Sequence, residues 1–364
     1  MGMTSVVFLQ YKDELDRARD AAEQGGLIVN TVAGPIEYAV RGVGIPLLSI
    51  HGAGGGYDQG LTNAADLVGE SFQIIAPSRF GYLHTPIPGD VSPGAQADAH
   101  AALLTELNVS KAIVLGVSAG ARSAVELAIR HPNRVAALIL MVPGTYSPTS
   151  PVSVEESRGS KFAFWLVNTG ADFAWWATEK LAPSVLIRFI GVPPELVAVA
   201  PKPDQDRVMS MVRSIQPLSL RFPGINIDST PELSQLLLET INAPTLIISA
   251  RDDLFRTLPA AEFAASRIPE AKLIVYETGG HLLVGHDAEV REAVRTFLNR
   301  AGLRGFEQSL FRSRRHLMAW QREFRIATSW GTPYLSQAGS NELSAQLHHV
   351  GMQAAAEGRS YLGN

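Results

Sequence analysis

Short aliphatic and β-branched runs recur through the middle of the chain, separated by stretches whose apolar positions follow a helical period. Residues 26–33 and 35–41 read as two strands turned at Gly34, the second closed by Gly42 and Gly44. Nearly unbroken apolar runs follow at 45–51, 73–76, 111–117, 135–142, 244–249 and 272–277. Strands that are apolar on both faces belong to a mainly parallel sheet covered by helices on both sides. Stretches at 94–107, 119–130, 259–266 and 288–300 supply those helices. The first is polar at Asp98 and His100, yet Ala101, Leu104 and Leu107 keep one apolar face. The second closes on Arg130-His131-Pro132, with basic charge in the last turn and proline beyond it. The pattern predicts an α/β protein with a doubly wound, mainly parallel sheet.

Between residues 145 and 240 this rhythm breaks. The stretch opens on Pro143-Gly144 and the loop-forming Ser147-Pro148-Thr149-Ser150-Pro151. It turns helical and aromatic through Phe162, Phe164, Trp165, Phe173, Trp175 and Trp176, and prolines from Pro193 to Pro223 punctuate the rest. An insertion between two strands, folded as a helical cap or lid, is the economical reading. A second core layer is the alternative, since aromatics at helical spacing pack more often than they touch substrate. Trp165, Trp175 and Trp176 are the cap's candidate substrate contacts. At the N-terminus Phe8, Tyr11, Leu15, Ala18 and Ala22 recur at helical spacing, as do Phe306, Leu310, Leu317 and Phe324 in the tail. The predicted organisation is a helical extension at 1–25, an α/β core at 26–144 and 241–302, a cap at 145–240, and a second helical extension at 303–364.

Composition removes several classes of chemistry. The 364 residues include no Cys, which excludes disulfides, thiolate zinc sites, iron–sulfur clusters and a cysteine nucleophile. Covalent chemistry is left to Ser, Thr, Lys, Asp or Glu. A formal net charge of −4 gives no chain-wide footprint for nucleic acid or an anionic membrane. The longest apolar run, 135–142, is far short of the ~20 residues of a membrane helix. Val6-Val7-Phe8-Leu9 lacks a basic flank, so no leader is legible and a soluble, cytoplasmic protein is expected. The tail segment 301–364 holds seven Arg against four Glu. It is expected to pack on the body or on a second subunit, making a homo-oligomer the candidate assembly; lipid or nucleic-acid contact is the lesser alternative.

The strongest chemical signal is Gly116-Val117-Ser118-Ala119-Gly120, set between an apolar strand and a helix. A nucleophile at such a junction sits on a sharp turn whose flanking positions admit only small residues. The turn lifts the hydroxyl above the sheet, and the following helix aims its N-terminal amides at developing negative charge. With this strand–turn–helix context the chain resembles the α/β-hydrolase superfamily, in particular its esterase- and lipase-like serine hydrolases with a helical cap. The resemblance spans about residues 26–302 and implies a triad ordered nucleophile, acid, histidine. The run at 244–249 ends in Ala250-Arg251-Asp252-Asp253, and that at 272–277 in Thr278-Gly279-Gly280-His281. Both are strand-end loops on the edge of the sheet where ligands gather.

The resemblance places the acid three residues after a small residue at the strand end, which matches Asp253 rather than Asp252. Asp252 is then a surface partner for Arg251. His281, preceded by two glycines, is preferred over His286, which opens a helix and serves a structural hydrogen bond. The loop His51-Gly52-Ala53-Gly54-Gly55-Gly56 resembles the family's His-Gly-X oxyanion loop. It implies backbone donors at Ala53 and Ala119, with Gly52 and Gly54 lining the substrate's approach and His51 as loop architecture. A dinucleotide-binding glycine loop is a weak rival, lacking both the spacing and an acidic ribose partner. Arg79-Phe80-Gly81-Tyr82 resembles a structural turn of the family. No metal pattern appears among the other histidines, and no cofactor is implied.

The expected reaction is hydrolysis of a carboxylic ester of an apolar or aromatic small molecule, with water as co-substrate, through an acyl-enzyme on Ser118, Asp253 and His281. C–C bond, amide or lactone hydrolysis and acyl transfer use the same triad. A non-catalytic ligand-binding or receptor protein on this fold is the alternative of another class.

Overall fold

The computed structural model describes residues 3–149, 171–229 and 234–303. The chain divides into two units, Met1–Phe306 and Glu307–Asn364, and every described residue lies in the first. Trp165 and the expected tail helix therefore lie outside the described residues.

A long first helix, α1 (Met3–Gln24), precedes a hairpin of β1 (Leu27–Thr31) and β2 (Gly34–Arg41). Then follow β3 (Ile45–Ile50), α2 (Tyr57–Ala65), β4 (Phe72–Pro77), α3 (Pro93–Glu106), β5 (Ala112–Val117), α4 (Gly120–Arg130) and β6 (Val135–Met141). Among the described residues, five helices come next: α5 (Asp172–Leu181), α6 (Pro183–Phe189), α7 (Pro194–Val199), α8 (Lys202–Ser214) and α9 (Leu218–Ser229). The chain returns to the sheet with β7 (Thr245–Ala250), α10 (Leu258–Arg267), β8 (Lys272–Tyr276) and α11 (Asp287–Arg300). The described strands form one sheet of order β1-β2-β4-β3-β5-β6-β7-β8, antiparallel at β1–β2 and β2–β4 and parallel elsewhere. The α/β fold with a mainly parallel, doubly wound sheet follows the apolar pattern.

Alternation along the strands explains why both faces are covered. Val114 of β5 packs into one core with Ala97 and Leu103 of α3, Ala121 and Leu127 of α4, and Ala261 of α10. Its neighbours Ile113 and Leu115 enter the other core, with Ala64 of α2 and Val290, Val294 and Leu298 of α11. Each fully buried Leu or Ile contributes about 1.5–3 kcal/mol relative to exposure, so period two places that stabilisation on both layers. α3 begins where Ser92 caps it, its side chain accepting the Ala95 N–H, with Pro93 as the first helical residue.

α2 is a helix that the apolar pattern does not predict. Gly60 interrupts it, and the reason is packing: a Cβ there would stand 2.9 Å from both Ala76 Cβ and the Ser49 carbonyl oxygen. Glycine lets the helix lie directly on β3 and β4.

Helices α5 to α9 leave the sheet between β6 and β7 and share an apolar cluster of their own, including Leu186, Val208, Val212 and Leu218. α1 packs on α5. The Tyr11 ring meets Phe173 at 5.0 Å and Trp176 at 5.6 Å, and Glu14 accepts the Trp176 indole N–H at 2.8 Å while pairing with Lys180 at 2.9 Å. No helix among the described residues is long and apolar enough to cross a membrane.

Candidate active site

The candidate nucleophile closes β5. Ser118 continues the ladder by donating its N–H to the Met141 carbonyl (2.9 Å), then turns into the left-handed region at φ 51° before α4 begins. That conformation costs a non-glycine residue about 1–2 kcal/mol and is held here by the surrounding structure. The turn packs hard against β3: a Cβ on Gly120 would lie 2.6 Å from the Ile50 carbonyl oxygen and still closer to that of His51. Ser118 itself is half-buried.

Two loops at the same edge of the parallel sheet carry the other candidate residues. His281 stands in a 3₁₀ turn after β8, and its Nδ1 lies 2.9 Å from Asp253 Oδ2, in the loop after β7. Asp253 is 3% exposed and His281 8%. The Asp253 carboxylate also accepts the Thr257 hydroxyl (2.5 Å) and the Phe255 N–H (2.9 Å), so its lone pairs are aimed before any substrate arrives. The Phe255 ring stands edge-on to the imidazole, centroids 4.6 Å apart. Asp252 does something other than the expected surface pairing with Arg251. Arg251 pairs with Glu277 at 3.0 Å, while Asp252 accepts the N–H groups of Gly279 (3.2 Å) and Gly280 (2.8 Å), shaping the loop that carries His281. His286 opens α11, where its Nδ1 lies 2.6 Å from Glu289 and its ring stacks on Tyr276.

Gly191, between α6 and α7, is a contributor that the sequence pattern does not disclose. Its carbonyl accepts the N–H groups of both Leu254 (3.2 Å) and His281 (3.0 Å), tying the acid loop to the histidine loop. Its φ of +83° and a would-be Cβ only 2.6 Å from His281 Cβ restrict the position to glycine.

The loop after β3 leaves the Ala53 amide uncommitted. Gly52 N–H donates to Gln59 Oε1 (3.1 Å), Gly54 N–H to the Tyr82 hydroxyl (3.3 Å) and Gly55 N–H to the Gly52 carbonyl (3.3 Å). Among the described residues, neither the Ala53 N–H nor the Ala119 N–H has a hydrogen-bond acceptor. Both flank the serine: Ala119 follows it, and a Cβ on Gly52 would stand 3.2 Å from Ser118 Cβ. Gly54 lies under Ile215, whose side chain a Cβ would meet at 3.3 Å.

Trp175 and Trp176 are occupied elsewhere. Trp175 is fully buried, donating its indole N–H to the Val212 carbonyl at 3.2 Å and meeting Phe189 edge-on. Trp176 is held between α1 and Lys180. Aromatic spacing marks a buried face without saying which neighbour buries it, and here the neighbours are helices. A cavity of about 740 Å³ opens beside the elbow between α3, α4 and the end of α9, with Ala119, Arg122, Ser123, Tyr146 and Asp228 among its walls.

His51 is fully buried, its Nδ1 2.7 Å from the Gly52 carbonyl and its Nε2 accepting the Arg79 N–H at 3.0 Å. Burial, with the Arg79 charge next, pushes its pKa well below the ordinary imidazole value; the same two causes push His100 down to about 3. Both are neutral in the fold, while in the unfolded chain both take up protons below about pH 6.5. The unfolded state then binds more protons, so stability is full above that pH and is lost as pH falls, by about 1.4 kcal/mol per unit for each histidine. Urea unfolding at pH 7.5, 6 and 5 is expected to show this decline, and His100→Asn to remove one histidine's share. A pH-independent midpoint over that range would contradict it.

Comparison with known proteins places this geometry. Residues 45–287 match the α/β hydrolase fold family. The 2-hydroxymuconate semialdehyde hydrolase of Pseudomonas putida is 28% identical over 273 residues, covering 72% of this chain and 89% of its own. Lipase 3 of a Moraxella species is 27% identical over 245 residues, covering 66% of this chain and 72% of its own. The solved α/β hydrolase fold protein of Nakamurella multipartita superposes with a TM-score of 0.61 at 26% identity, over 76% of this chain and all of that one. The match of most of the chain and the sheet with its elbow agree: this protein belongs to the α/β-hydrolase family.

Proposed function

We propose that the protein is a serine hydrolase that cleaves a carboxylic ester of an apolar or aromatic small molecule. The observation that carries this reading is a buried His281–Asp253 pair in the loops after β7 and β8, at the same edge of the parallel sheet as the Ser118 turn, with two uncommitted N–H groups, that of Ala119 directly after the serine and that of Ala53 after Gly52, where a Cβ would stand 3.2 Å from Ser118 Cβ. Ser118 Oγ attacks the carbonyl carbon while His281 takes its proton; Asp253 keeps Nδ1 protonated, leaving Nε2 as the base. The oxyanion receives the Ala53 and Ala119 N–H groups, each worth about 3 kcal/mol at the transition state. His281 returns the proton to the departing alcohol. Water, deprotonated by the same imidazole, then releases the acid.

Ile215 over Gly54, Phe255 against His281, and Val192 and Pro193 against Gly280 are all apolar. Read as walls of the acyl site, these side chains favour an uncharged acyl or alcohol group over a polyanion. A second reading, C–C bond hydrolysis, has a specific support: the similarity to 2-hydroxymuconate semialdehyde hydrolase. The helices α5 to α9, read as a cap over the site, are where the two would differ. Steady-state assays on p-nitrophenyl esters of graded chain length and on a 2-hydroxy-6-oxo-dienoate separate them. A pre-steady-state burst and higher kcat/KM on the apolar esters are expected. The opposite ranking establishes the C–C reading. No turnover of either class, with no labelling of Ser118 by a fluorophosphonate, establishes a binding protein.

A further inference from the structure

Asp228, near the end of α9, is one of the few buried carboxylates and lies in the wall of the cavity beside the elbow, and nothing in the reaction above uses it. Arg79 grips it with two parallel bonds, Nη1 to Oδ1 at 2.9 Å and Nη2 to Oδ2 at 2.5 Å. The Tyr82 hydroxyl donates to Oδ2 at 2.5 Å, and Arg122 Nη1 donates to the Asp228 backbone carbonyl at 3.2 Å. Burial pushes this carboxyl up most strongly, but the Arg79 charge and hydrogen bonds, the Arg122 charge and the Tyr82 hydrogen bond together outweigh it, and the group is held below its ordinary value, as the anion.

Each of these three partners is also tied to the backbone around the Ala53 or Ala119 amide. The Tyr82 hydroxyl, having given its one proton to Asp228, presents a lone pair to the Gly54 N–H at 3.3 Å. Arg79 Nε donates to the His51 carbonyl at 2.9 Å, and the Arg79 N–H goes to His51 Nε2. These contacts bracket Ala53 on both sides. Arg122 Nε donates to the Gly144 carbonyl at 2.8 Å, and the Gly144 N–H donates to the Ser118 carbonyl at 3.0 Å, the peptide whose nitrogen belongs to Ala119. Two backbone bonds, Leu83 N–H to Leu220 and Gly224 N–H to Gly81, fasten the 79–83 turn to α9 as well.

We propose that Asp228 is a positioning residue for the oxyanion hole, fixing from α9 the two backbone segments that carry its donors. Oxyanion stabilisation depends on donors already in place, and a displacement of a few tenths of an ångström at either amide weakens the transition state more than the substrate complex. The carboxylate holds the Ala53 segment because it accepts from both arms of Arg79 and from Tyr82 at once, while the Ala119 segment is held through Arg122 by the Asp228 backbone carbonyl; an amide has one acceptor oxygen and no charge, so Asp228→Asn loosens the first of these. The proposal rests on the serine-hydrolase reading above.

The test compares wild type with Asp228→Asn, Asp228→Glu and Tyr82→Phe, active sites being titrated with a fluorophosphonate. Asp228→Asn is expected to lower kcat about 10- to 100-fold at a KM within about twofold, and to weaken an alkylboronate transition-state analogue by the same factor. Tyr82→Phe, which removes the hydroxyl's bonds to Asp228 and to Gly54 but leaves the Arg79–Asp228 pair in place, is expected to fall in the same direction by about 3- to 10-fold, with a smaller fall in Tm than Asp228→Asn. Asp228→Glu is expected to recover part of kcat. A fall in Tm alone, with kcat per titrated site and boronate affinity unchanged, overturns the proposal. If Asp228→Asn does not fold, Tyr82→Phe decides: unchanged kcat overturns it. Failure of the underlying reading looks different, since wild type itself would then resist fluorophosphonate and Ser118→Ala would keep turnover.

Discussion

Ser118→Ala is expected to lose up to about 10⁶ in kcat while unfolding at the same temperature as wild type. The hydroxyl is the one group removed, and the turn is held by backbone bonds that the substitution leaves alone: N–H to Met141, and the carbonyl accepting from Ala121 and Gly144. KM is expected to stay near wild type, because the walls and the Ala53 and Ala119 amides are untouched. Residual turnover above the uncatalysed rate, about 10³- to 10⁴-fold, is expected from those amides and from binding. A companion variant separates chemistry from strain. Ser118→Gly removes the same hydroxyl but accepts φ of 51° without penalty, so it is expected to be equally inactive and more stable than Ser118→Ala by about 1 kcal/mol. Near-full turnover in either variant, measured after active-site titration, would refute the serine mechanism.

The elbow was legible in the chain because its demands are local. A strand, a sharp turn and a helix must follow within a few residues, and Gly116 and Gly120 sit where nothing larger fits. The sheet was legible for the same reason: period-two and continuous apolar runs are properties of neighbours in sequence. What stayed hidden is long-range. Arg79 and Asp228 are 149 residues apart in the chain, and no motif announces that one will be folded against the other. Gly191 gives no sign of joining two loops that follow it by more than 60 residues. α2 escapes the helical pattern because Gly60 serves close packing, yet that helix carries Gln59, which holds the Gly52 amide. Trp175 and Trp176 show the limit in the opposite direction, since an aromatic pattern reports burial and not what buries it. The interior polar network, more than the candidate residues themselves, is therefore what needed a structure.

The neighbouring aspartates illustrate how one residue of displacement along the chain separates two roles. Asp253→Asn is expected to lower kcat about 10⁴-fold. An amide facing His281 Nδ1 with its NH₂ group would stabilise the tautomer protonated at Nε2, which cannot take the serine proton. With its oxygen there instead, it would lack the charge that steadies the imidazolium. The same change leaves Thr257 and the Phe255 N–H competing for one acceptor oxygen in a site 3% exposed, so some loss of stability accompanies it. Asp252→Asn keeps an acceptor for the Gly279 and Gly280 amides and is expected to stay within about tenfold of wild-type kcat, while Asp252→Ala frees both amides and costs about 1.5–3 kcal/mol of stability. The decisive measurement is kcat for the two Asn variants on one ester, paired with their unfolding midpoints. Loss of turnover in Asp252→Asn with its retention in Asp253→Asn would reverse the assignment, because His281 would then draw its support from a carboxylate that the geometry assigns to the loop.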